Sequence, residues 1–310
     1  MASTRRSIGA GVALALVSLL SAGCPRSRTS ESGAAAASSA SSVASIRPLP
    51  PAPTSPPPPD DKFPLDEAAI DAIVNPSHAT EYTGPTGVVE GVVRVTGDPA
   101  RMRQFIPLPK PCEAAVPIHG PDYRAGPGGE LADALVAVIK TSGYVRPSRA
   151  DKVVTIKQCS ITPTLIDLSV GQRLLVANDD DSPYTPNLPT RKIITRLAIK
   201  GMSPVPLFLT TPAAYAMTWL PGALPGADVP TATVFVLPNA LHMTTDLDGK
   251  FRVAGVPVGK ARLVVSHLGM PEFGKDIEIK AGEVVKIDAP MTYRAPPASS
   301  APAHPVSSIQ

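Results

Sequence analysis

The residues from 153 to 184, VVTIKQCSITPTLIDLSVGQRLLVANDDDSPY, leave the backbone little choice. β-Branched residues fill 153–156 and a short apolar run fills 174–177, so strands with a repeat of two residues are favoured over a helix with one of 3.6. The stretch reads as a strand, a cysteine, a second strand, a turn at Gly171 and a third strand that runs into an Asn/Asp/Pro loop. A repeat of two puts successive side chains on opposite faces of a sheet. It predicts an all-β chain.

Composition narrows how much of that chain folds. Of 310 residues 38 are proline, with a dense cluster at 48–59, and only 4% are aromatic. Such a chain is expected to carry one or two all-β modules between non-globular ends. Its net charge of +3 comes without a Lys/Arg stripe, so no nucleic-acid partner is expected.

The N-terminus reads as a secretory signal. Arg5 and Arg6 form a positive start, and residues 8–20 form an apolar run too short to span a bilayer. Ser21-Ala22-Gly23 then leads into Cys24, which resembles the lipobox of bacterial lipoproteins, with Ser21 where an aliphatic residue is commoner. The resemblance implies a signal peptide over 1–24, lipidation of Cys24, and a membrane partner reached through that anchor. At ~0.8 kcal/mol per buried methylene, several acyl chains hold a protein stably. Residues 25–63 form an Ala/Ser/Pro tether that ends in four consecutive prolines, and residues 294–310 repeat its composition. Both are expected to stay disordered, because they cannot bury enough apolar surface to offset chain entropy. The expected location is the cell envelope, with Pro25 favouring the outer membrane.

If Cys24 is lipidated, Cys112 and Cys159 remain as a pair in an oxidising compartment. A structural disulfide is the favoured reading, worth roughly 4 kcal/mol on the chain-entropy model. Two buried thiols or a metal pair are the alternatives, and the metal reading lacks a His or second Cys at ligand spacing.

Within the folded region, residues 64–85 hold a short amphipathic helix and an entry turn. Leu65, Ile70, Ile73 and Val74 are available for packing, and Asp66 and Glu67 sit at its positive end. Residues 88–96 and 131–140 read as strands, separated by a Pro/Gly-punctuated excursion that carries Cys112. Residues 191–199, 205–211, 214–220 and 231–237 are further strand candidates.

Residues 244–291 contain Thr245, Asp246, Asp248, Gly249, Phe251, Val253, Gly255, Val256, Pro257 and Gly259 in a pattern that resembles the carboxypeptidase regulatory-like domain, a small prealbumin-like β-sandwich. Asp248-Gly249 suits a hairpin turn. The glycine–valine run 87–97 resembles that family's opening strand. The domain is therefore expected over 86–150 plus 239–293, with residues 151–238 inserted.

That insert resembles the cupredoxin family, the plastocyanin-like domains of bacterial envelope proteins. The resemblance also favours the Cys112–Cys159 pairing. The expected fold class is two Greek-key-type β-sandwiches, one cupredoxin-like and one carboxypeptidase regulatory-like. A type 1 copper site needs two imidazoles, a thiolate and a weak axial ligand. The family's ligand positions fall here on Tyr184, Leu224, Ala227 and Pro230, and none is the imidazole, thiolate or thioether that a type 1 site uses. No metal and no cofactor are expected, and Met202 and Met217 read as core.

Other candidates have bland readings. His78 and Glu81 match a zinc pair but no partner motif follows. Asp246 and Asp248 suit a turn better than a calcium loop. Asp179-Asp180-Asp181 reads as a solvated loop, and His242 and His267 as surface imidazoles. No nucleophile elbow, Walker loop or dinucleotide motif is present. The expectation is a non-catalytic, lipid-anchored envelope protein that presents β-sandwiches for interaction or scaffolding. Its partner would be an envelope protein or a polysaccharide, the latter by analogy with starch-binding-like modules. A copper electron-transfer role is disfavoured by the missing ligands. Carbohydrate platforms need surface aromatics, and the candidates are Tyr123, Tyr144, Tyr184, Tyr215, Trp219, Phe273 and Tyr293.

Overall fold

The computed structural model describes residues 62–188, 196–220 and 228–297. Cys24, residues 25–61 of the tether, residues 298–310 of the tail and the positions Leu224 and Ala227 lie outside the described residues. The inner ends of tether and tail are not disordered, because Phe63 packs edge-on against Phe208 and the Ala295 N–H donates to Asp98 at 2.9 Å.

Helix α1 (Glu67–Val74) starts where Asp66 caps it, accepting from the Ala69 N–H; a capping oxygen satisfies a donor that the first turn leaves open. Strand β1 (Thr86–Gly97) follows, then a 3-10 turn (Lys110–Ala115), α2 (Val116–His119), β2 (Leu135–Ile139), β3 (Lys152–Ile156), β4 (Leu165–Ser169) and β5 (Arg173–Asn178). The chain continues through β6 (Val205–Phe208), β7 (Ala213–Met217), β8 (Ala232–Leu237), β9 (His242–Thr244) and β10 (Lys250–Pro257). It ends in β11 (Gly259–Ser266), β12 (Phe273–Ile279), β13 (Val284–Lys286) and β14 (Ala289–Tyr293). The architecture is all-β, as the repeat of two predicts.

Four sheets make two sandwiches. In the first, β1 is flanked by β10 and by β13 and β14, facing a sheet ordered β12-β11-β2-β9. Along β1 the alternation works as read: Val89, Val93 and Val95 are buried. Gly91 takes the fourth inward place, because a Cβ there would meet the Ile287 carbonyl oxygen at 1.7 Å. In the second sandwich β3-β5-β6 faces β4-β8-β7, with β3/β5 and β4/β8 parallel. Each has its own core, Val136, Val138, Phe251, Leu263 and Met291 in the first and Ile156, Leu174, Leu207, Met217 and Trp219 in the second.

Several details depart from the sequence reading. The Asp246–Gly249 turn closes with the Gly249 N–H donating to the Asp246 carbonyl at 3.0 Å. It is no hairpin, because β9 pairs with β2 and β10 pairs with β1, so the turn carries the chain from one sheet to the other. The excursion after β1 leaves the first sandwich: Cys112 and Ala115, like Ile70 and Val74 of α1, are buried in the second core. Met202 is 66% exposed, not core. It lies in a loop whose only ladder contact is Ala198 bridging to Tyr184 among the described residues, so a strand over 191–199 is not formed at its described end.

Candidate functional site in a polar seam between the sandwiches

Strand β4, Leu-Ile-Asp-Leu-Ser, is buried at all five residues. Its alternation sends Ile166 and Leu168 into the second core, leaving Leu165, Asp167 and Ser169 on the other face. Leu165 joins Leu135 of the first sandwich, with Phe235 and Leu237, in a small apolar pad. Asp167 and Ser169 meet strand β9, where His242 and Thr244 share a face two residues apart. His242 Nδ1 donates to Asp167 Oδ2 at 2.8 Å, and Thr244 donates to Asp167 Oδ1 at 3.0 Å. Lys152 Nζ, from β3, reaches the same Oδ1 at 3.0 Å. Ser169 Oγ donates to the Asn239 carbonyl oxygen at 3.1 Å and lies 2.9 Å from His242 Nε2. Burial opposes ionisation of Asp167, yet the His242 hydrogen bond and the Lys152 charge together hold its carboxyl well below the usual carboxylate range.

A second post flanks the pad with the roles reversed. Asp133 of the first sandwich accepts from the Thr164 N–H of the second at 2.8 Å and pairs with Arg124 at 2.7 Å.

Serine, histidine and aspartate in this order form the constellation of nucleophile, base and orienter. In an open cleft it would support acyl transfer. Here Ser169 is 3% exposed, Asp167 6% and the His242 side chain 5%. The Asn239 amide nitrogen beside them is buried without a partner. Sequence reasoning missed this cluster and read His242 as a surface imidazole. The available signal was two polar residues alternating with leucine and isoleucine inside an otherwise apolar strand; the third member lies 73 residues away.

The expected site residues fall elsewhere. Cys112 and Cys159 are bonded, closing a 47-residue loop. Tyr184, which the sequence resemblance sets at a copper-ligand position, is 2% exposed. Its hydroxyl donates to Asp180 Oδ2 at 2.8 Å and lies 3.1 Å from Cys159 Sγ. Burial, with the Asp180 carboxylate adding to it, pushes the phenol well above its ordinary range. Asp180 also accepts from the Gln158 and Cys159 N–H groups, both at 2.7 Å. It thereby fixes two left-handed residues, φ 51° and 57°. Asp180 is thus a structural clamp, while Asp181 pairs with Lys200. Pro230 is buried. Among the described residues no group of three or more His, Cys, Asp or Glu could hold a metal ion.

His119 was not singled out by the sequence. It stacks on Trp219 with ring centroids 5.2 Å apart, contacts the Thr231 carbonyl through Nδ1, and receives the Ile161 N–H at Nε2. Burial pushes its imidazole down to about 4. His267 is buried, not a surface imidazole, and burial lowers it too. His78 is exposed, and Glu81 pairs with Arg146. Asp246 Oδ1 accepts from the Asp248 N–H within the turn. Of the candidate platform aromatics, Tyr184, Trp219 and Tyr293 are buried.

Residues 223–292 match the family model described as the carboxypeptidase regulatory-like domain. The match covers the segment from β8 to β14 and stops short of β1 and β2, which complete the sandwich in space. Among solved structures, the Cu-containing nitrite reductase NirK from Thermus scotoductus SA-01 is similar at 14% identity and a TM-score of 0.24. That alignment covers 31% of this chain and 24% of the reductase, so the chain spans about a quarter of that protein. No curated protein matches.

Proposed function

We propose that this is a non-catalytic protein, anchored to the cell envelope through Cys24, that presents two coupled β-sandwiches for interaction or scaffolding. The observation that carries the reading is the consumption of each reactive-looking group by internal bonds. Ser169, His242 and Asp167 are closed into the seam, and Tyr184 is committed to Asp180. The match of residues 223–292 to a regulatory-like sandwich supports a presenting role, although fold alone never gives function. The lipobox-like sequence at Cys24 supplies the anchor in this reading.

The test is fractionation and pull-down from detergent-solubilised envelopes, with Cys24→Ser as control. The full chain should sediment with membranes, carry an acylated Cys24 by mass spectrometry, and bring down a defined partner; Cys24→Ser should be released. A soluble protein with an unmodified Cys24 would end the anchoring half. A preparation that turns over ester or glycoside substrates would end the other.

A further inference from the structure

We infer that the Asp167–His242–Ser169–Thr244 seam, with its reciprocal post at Asp133, is a latch that fixes the two sandwiches at one mutual orientation. Among the described residues, the buried apolar pad between them consists of Leu135, Leu165, Phe235 and Leu237. A patch of four side chains is non-directional, since apolar contact tolerates sliding and rotation. The polar groups are not tolerant. Asp167 accepts three hydrogen bonds, and two of its donors, His242 and Thr244, come from the other sandwich. Moving β9 along β4 by one residue would turn these donors away from the carboxylate and leave a buried charge short of partners. Removing one partner of a buried pair is costly even where the intact pair adds little net stability. The seam therefore contributes orientation more than adhesion.

The two posts resist rotation because they are reciprocal. At one, a carboxylate of the second sandwich receives side chains of the first; at the other, Asp133 of the first receives the Thr164 N–H of the second. Two directional contacts on either side of a pad define an angle, where one would define only a pivot. The Cys112–Cys159 bond ties the excursion after β1 into the second core, which limits separation of the sandwiches. Presented surfaces on the two sandwiches would then keep a constant spacing, which lowers the ordering cost of engaging a partner with both.

The test is a pulsed electron–electron distance measurement on the full chain carrying Cys24→Ser, with spin labels at Met202→Cys and Leu268→Cys. These two exposed positions lie one in each sandwich. The intact seam should give one narrow distance distribution and a single melting transition. His242→Leu, and separately Asp167→Leu with His242→Leu, should broaden the distribution and split the melt in two. Should His242→Leu not fold, the gentler pair Ser169→Ala and Thr244→Val carries the test, with a smaller broadening expected. Distributions and melts that stay as narrow and as single as the parent's in all folded variants would overturn the latch. This outcome is independent of whether Cys24 is acylated or any partner is found.

Discussion

Lowering the pH from 7 to 4 should cost this fold about 3 kcal/mol through His119 alone. The imidazole is buried beside Trp219 and is held at about 4 in the folded chain, against 6.5 when free. Burial is the main cause; Arg124 and Arg103 add to it, while the Thr231 carbonyl and Asp133 oppose it. With the folded value below the unfolded one, the unfolded chain binds more protons between those limits. The stabilisation is therefore complete above about 6.5 and is lost progressively as the pH falls through 4. A difference of about 2.5 units at 1.36 kcal/mol each gives roughly 3 kcal/mol. Urea unfolding followed by Trp219 fluorescence at half-unit pH steps measures it. His267 is lowered by burial and acts with the same sign, so the decisive quantity is the difference between the parent and His119→Gln. That variant should be less stable at pH 7 and should lose much less on acidification. A parent and a variant with parallel profiles between pH 7 and 4 would refute the assignment.

Three further perturbations test the packing. Replacing Cys112 and Cys159 by serine opens the 47-residue loop and should lower stability by roughly 4 kcal/mol on the chain-entropy model, read from urea midpoints with and without reductant. Asp180→Ala removes the acceptor for two left-handed N–H groups and for the Tyr184 hydroxyl. It should cost about 2–3 kcal/mol and collapse the protection of the Gln158 and Cys159 amides in hydrogen exchange. Gly91→Ala drives a methyl into the Ile287 carbonyl and should lower the melting temperature, at about 1–3 kcal/mol for an overpacked site; an unchanged melt would contradict the register of β1.

Much of the architecture could be read from the chain because it lives in local alternation. Val89, Val93 and Val95 announce β1, and the run from Asp246 to Gly259 announces the regulatory-like segment. The position of Tyr184 was equally local, since it closes a short Asn/Asp/Pro loop. What alternation could not reveal was which sheet each strand joins. The turn at Asp248-Gly249 looks the same whether it returns within a sheet or crosses between two. Nor could it show that Cys112 and α1 serve the second core, because both depend on how a long excursion crosses the surface. The seam was hidden for a third reason. Asp167 and Ser169 are ordinary outward-facing residues on a strand whose outer face happens to be covered, and the arrival of β9 adds His242 and Thr244 to the partners they find in Lys152 and Asn239.

The most direct measurement of the central claim is the intact mass of the purified protein after prolonged exposure to a fluorophosphonate, an electrophile that labels activated serines. With Ser169 enclosed and its hydroxyl donating to Asn239 beside His242, the account predicts an unchanged mass. A single stoichiometric adduct that maps to Ser169, and disappears with His242→Leu in folded protein, would show a working nucleophile there and contradict it.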